Sequence, residues 1–139
     1  MRPPAMAIWL TAAGALPFIA AAAMILGLVP GEGRPLIVAY GTVILCFMSG
    51  VLWGFAARAG RAWAYVLSVL PALHVFFFVT PHPWAVQGQA LAHLIAGFLA
   101  VLILDIVYQA KGLAPRWWLT LRIPVSVVVV GCLWIARHA

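Results

Sequence analysis

The chain has 139 residues, of which 67% are hydrophobic and 7% charged. A soluble domain carries roughly 25% charged residues, and surface-to-volume scaling prevents a domain of this size from burying so much apolar surface. A soluble globular fold is thereby excluded, and an integral membrane protein is expected. The net charge of +6 is not a nucleic-acid signature either, because the basic residues are scattered at the ends of apolar runs, where they set membrane orientation.

The first apolar run covers residues 5–28. Met1 and Arg2 ahead of it, and the small residues at 20–23, have the look of a signal peptide. The run is nevertheless as long as the ~20 residues a spanning helix needs. Pro17 lies inside it and predicts a kink, which a bilayer helix tolerates where neighbours re-satisfy the freed carbonyl. Residues 29–35, VPGEGRP, read as a tight turn.

The second span, residues 36–57, contains the uncharged stretch YGTVILCFMSGVLWGFAA. On a helical wheel Thr42, Cys46, Ser49, Gly50, Trp53 and Gly54 gather on one side with Ala57. Ile44, Met48, Val51, Leu52 and Phe55 gather on the other. Lipid tails give no reason to hide Leu, and membrane helix interfaces favour small residues. The small side is therefore expected to be the packing face, and the bulky side to meet lipid.

RAGR at 58–61 is a short basic turn, and the third span is expected at 62–79 with Pro71 inside it. An uncharged loop at 80–87 carries His82 and an interfacial Trp84. The fourth span is expected at 88–108, with Gln89, His93, Ala96, Gly97 and Ala100 sharing a face. In KGLAPR at 111–116, Gly112 reads as a helix stop and Pro115 as a helix start. The fifth span is expected at 117–136. Trp63, Trp117 and Trp118 sit at span ends, like Trp84, as interfacial anchors do. The whole chain, 1–139, reads as one transmembrane domain: an all-α bundle of five transmembrane helices.

Five spans place the termini on opposite sides. Arg2, Arg58, Arg61, Lys111, Arg116 and Arg122 lie on one side, and Arg34 and Arg137 on the other. The positive-inside rule puts the N-terminus in the cytoplasm and the C-terminus outside, as in a multi-pass protein of a bacterial inner membrane. Both cysteines, Cys46 and Cys132, lie within spans, so neither a disulfide nor a cysteine metal site is expected.

Asp105 is the only acid inside a span. An ionised carboxylate there costs roughly 2.5–3.5 kcal/mol on insertion scales, so it needs a partner. Arg122, early in the fifth span, and Arg58, at the end of the second, are at similar depth. Asp105 is expected to pair with Arg122, Arg58 or both. A structural ion pair is preferred over a proton relay, because Leu104, Val101 and Ala100 above it cannot carry protons. His74 and His93 fall at similar depth near the opposite side, on spans joined by the loop that carries His82. Imidazoles suit zinc, copper or haem iron. No metal-ligand spacing accompanies these three, so no metal site is assigned, and a mutual or backbone hydrogen bond is preferred.

Several stretches together carry a resemblance. They are Gly14-Ala15-Leu16-Pro17-Phe18, Tyr40-Gly41, Phe47-Met48-Ser49-Gly50-Val51-Leu52-Trp53-Gly54, Ser68-Val69-Leu70-Pro71, Asp105, and Trp117-Trp118-Leu119-Thr120-Leu121-Arg122. In these the chain resembles, over nearly its whole length, a bacterial membrane family of unknown function related to animal mitochondrial transmembrane protein sixty-nine. The resemblance implies a five-helix inner-membrane protein and no particular reaction.

With little mass outside the spans and no catalytic constellation, the expected function is that of a non-catalytic interaction protein. It would be an accessory subunit or assembly factor of a larger respiratory or photosynthetic membrane complex. Its partners would be membrane lipid and other integral membrane proteins. No cofactor is required, though lipid, pigment or haem between helices is compatible. The alternatives are a small transporter or channel, or a metal- or haem-binding redox protein built on the outer histidines.

Overall fold

The computed structural model describes residues 2–81 and 87–139, the side chain of Gln87 excepted. Among these residues there is no strand, and the helices are α1 (Ala5–Ile25), α2 (Gly33–Ala59), α3 (Ala62–Ser68), α4 (Leu70–His74), a π-helical turn (Val75–Val79), α5 (Gln87–Ala110) and α6 (Trp118–His138). α3, α4 and the π turn make one span, Ala62–Val79, so five helices are long and apolar enough to cross a membrane. Trp84 and His82 lie outside the described residues.

Glycines end α1, α2 and α5. After α1, Gly27 takes φ +77°. Its amide bonds the carbonyl of Met24 at 3.1 Å, and the Leu28 amide bonds that of Ala23 at 2.9 Å. This is the paired closure that a left-handed residue permits, and it stops α1 ahead of the expected residue 28. Gly112 closes α5 in the same way, with Leu113 bonding the Tyr108 carbonyl at 2.8 Å. α2 begins before Pro35, which is tolerated because first-turn amides have no helical acceptor to lose.

The third span is broken where Pro71 predicts trouble. The proline lacks an amide and crowds the turn before it, and the helix interrupts at Val69. Ser49 of α2 reaches into the break and accepts the Ala72 amide at 2.9 Å. Beyond His74 the helix widens into the π turn, which turns Val75 and Val79 inward and leaves Phe76, Phe77 and Phe78 exposed.

α6 packs against α1 and α5, while α2 packs against α1, the third span and α5. The main core joins Phe18, Ile37, Leu45, Met48, Leu94, Phe98, Val101 and Leu133. A second cluster at one end joins Leu52, Ala56, Ala64, Tyr108 and Leu113. These side chains overturn the expected packing face of α2. Between residues 40 and 57 the buried positions are Gly41, Leu45, Met48, Ser49, Leu52 and Ala56. Cys46, Gly50 and Gly54 face out, and Trp53 is 49% exposed. Of the predicted face only Ser49 is buried and Thr42 half-buried. The true interface is turned from the predicted one by about one residue, about 100°. The reason is volume: a helix touching several neighbours fills the space between them with Leu and Met, as dense packing demands. Small residues are required only where backbones touch. Gly33 is such a place, since a Cβ there would lie 2.2 Å from the Ala21 carbonyl oxygen. A Cβ on Gly50 or Gly54 would meet nothing within 4 Å. α5 departs from expectation similarly: Gly97 is buried, but Ala96 and Ala100 face out and Leu94, Phe98 and Val101 face in.

Candidate functional site

Two groups of polar side chains stand near the ends of the bundle. The denser group is built on α5, where Asp105, Tyr108 and Gln109 stand three and four residues apart and so share a face. Asp105 is fully buried. Its Oδ2 accepts a hydrogen bond from Arg122 Nε at 2.8 Å, and its Oδ1 accepts one from the indole of Trp118, also at 2.8 Å. Both donors belong to α6, and the guanidinium carbon lies 6.0 Å from the centre of the Trp118 ring. Of the two arginines expected near the acid, Arg122 is brought to it. Arg58 is exposed at the last turn of α2.

Tyr108 and Gln109 extend the same end in two directions. The Tyr108 hydroxyl donates to the Ala64 carbonyl and so ties α5 to α3. Gln109 Oε1 accepts the Leu119 amide at 2.8 Å, which satisfies one of the first-turn donors of α6 that has no helical partner. The Phe55 ring meets Trp118 edge-on at 5.0 Å. Reading the sequence missed Tyr108, Gln109 and the inward role of the Trp118 indole. The available signal was the D-x-x-Y-Q spacing, three polar groups on one face of an otherwise apolar span.

The carboxylate thus has both oxygens engaged, and the next residues on its face, Val101 and Phe98, are buried and apolar. Chemically the arrangement is a clamp between α5 and α6. Its neutral sum avoids an isolated charge in a medium that cannot solvate one.

At the other end Arg34 donates from Nε to the Ala136 carbonyl at 3.1 Å and from a terminal nitrogen to that of Ala139. A cation there suits the carbonyl end of a helix. His74 Nε2 donates to the backbone carbonyl of His93 at 2.7 Å, tying α4 to α5. The two imidazole centres are 6.0 Å apart, with the Phe78 ring 5.3 Å from His74 and 5.5 Å from His93. Among the described residues no three His, Cys, Asp or Glu side chains gather as metal ligands. His82 is not among those residues.

A cleft with a volume of about 390 Å³ opens between α1, α2 and α6. Its walls are apolar except where Arg122, Ser126 and Thr11 line it.

No curated protein and no solved structure matches the chain. The model of one family does match, from residue 3 to residue 137, so the chain belongs to the family described as a protein of unknown function, DUF3429.

Proposed function

We propose that this protein is a non-catalytic scaffold of a bacterial inner membrane, an accessory subunit or assembly factor of a larger respiratory or photosynthetic complex. One observation carries the reading. Three sets of buried polar contacts hold the fold's own helices together: Asp105 to Arg122 and Trp118, Tyr108 to Ala64, and Ser49 to Ala72. Groups committed in this way serve rigidity, and a rigid helical body with apolar flanks is what a partner in the bilayer packs against. Phe76, Phe77 and Phe78, turned outward together by the π turn, and Trp9 on α1 supply large exposed aromatic surface.

In this reading the N-terminus is cytoplasmic and the C-terminus outside, as the excess of Lys and Arg beside Arg58, Arg61, Lys111 and Arg116 favours. Kinship with animal mitochondrial transmembrane protein sixty-nine belongs to the same proposal. Extraction in a mild detergent followed by native electrophoresis and protein identification tests it. Stoichiometric co-migration with other integral membrane proteins is expected. Migration as a lone chain under all gentle conditions contradicts it.

A further inference from the structure

α1 packs along only part of its length. Its buried residues are Ala15, Phe18, Ala21 and Ala22, and none between residues 5 and 13 is buried. Pro17 stands within the packed half. The loose N-terminal half leaves the cleft of about 390 Å³ against α2 and α6, within the range of about 300–1,000 Å³ of small-molecule sites. Leu10 of α1 and Phe47 of α2 line it and are 65% and 64% exposed. The cleft is therefore open sideways, toward lipid.

One wall is polar in an unfinished way. Ser126 lines the cleft, is only 4% exposed, and its Oγ has no hydrogen-bond partner. A helical serine ordinarily turns its hydroxyl to the carbonyl four residues back, and an orphaned buried hydroxyl costs about 1–3 kcal/mol. One turn earlier Arg122 also lines the cleft. Its Nε is held by Asp105, and among the described residues no hydrogen bond engages its terminal nitrogens. The cleft thus presents donors one turn apart on α6 and seeks an acceptor.

The character of that acceptor follows from charge and depth. Asp105 already balances Arg122, so the wall does not ask for an anion. Arg122 and Ser126 lie one and two turns into α6, about 6 and 12 Å from its first residue. A charged lipid headgroup drawn that deep loses its hydration, whereas a neutral carbonyl does not carry that penalty. Phe18, Phe55 and Phe98 line the cleft with Trp118, and aromatic faces favour a flat ring.

We propose that this cleft binds an isoprenoid quinone, with a ring carbonyl accepting hydrogen bonds from Ser126 and Arg122 and the tail leaving between Leu10 and Phe47. The inference concerns binding only, with no electron transfer, and does not depend on the scaffold reading. Decylubiquinone titrated into the detergent-purified full chain, with bound ligand counted by native mass spectrometry, tests it. One saturable equivalent per chain is expected. Ser126→Ala removes a buried hydroxyl that bonds nothing in the fold, so it should unfold at or above the wild-type temperature while its Kd rises about three- to tenfold, the worth of one hydrogen bond. Cys46→Ala, outside the cleft, should bind as wild type does. Absence of saturable binding by wild type overturns the proposal. So does an unchanged Kd in Ser126→Ala, or displacement of the quinone by dioleoylphosphatidylglycerol.

Discussion

The hydroxyl of Ser49 accepts the amide of Ala72 at 2.9 Å, across the break in the third span. The amide is free because Pro71 disrupts the helical ladder just before it, and the bilayer offers no water to take it. Ser49→Ala leaves that donor without an acceptor. Interhelical hydrogen bonds in membranes are worth about 0.6 kcal/mol on average and about 1.7 at most, because the unfolded chain in lipid also finds partners. A loss in that range is expected, measured by unfolding in mixed micelles of increasing denaturing detergent.

The glycines of α2 separate true helix contacts from apparent ones. Gly33→Ala drives a methyl group onto the Ala21 carbonyl oxygen, 2.2 Å away, and neither backbone can yield cheaply. A loss of about 1–3 kcal/mol is expected, typical of overpacking. Gly50→Ala meets open space and is expected to be neutral or to stabilise by up to about 0.5–1 kcal/mol through helix propensity. The same denaturing-detergent titration reads both. Equal destabilisation by the two would restore the small face as the packing seam.

His74 tests whether the histidine pair serves packing or chemistry. Its Nε2 donates to the His93 carbonyl. His74→Gln can keep a donor there, whereas His74→Leu cannot. The leucine variant should lose about 0.5–1.5 kcal/mol and the glutamine variant less, by the same titration. Equal effects would separate His74 from that carbonyl.

The number of the spans was legible because apolar runs of bilayer length are separated by short turns; the end of α1 was not, since Gly27, with its positive φ, closes the helix at Ile25 inside the first apolar run. The approach of Arg122 to Asp105 was legible for a different reason. A lone acid in an apolar span has few groups of matching depth to meet, and Arg122 is one of two. The buried face of α2 was not legible. Lipid and protein core are equally apolar, so Leu45 and Leu52 facing inward look no different in sequence from Val43 and Phe47 facing out. Nor could the sequence announce the Gln109–Leu119 cap or the cleft, since both arise from how α5, α6 and α1 come together in space.

The Asp105–Arg122 clamp is the joint on which the scaffold reading rests, and a double-mutant cycle measures it. Asp105→Asn, Arg122→Met and the double variant stay close to the native side-chain volumes while removing the charges singly and together. Each single change strands a buried charge, a cost of about 3–5 kcal/mol, and the double strands none. The double variant should therefore lose less stability than the two singles added, by about 1–3 kcal/mol. Additivity within about 0.5 kcal/mol would mean that the two side chains stand near each other without holding α5 to α6.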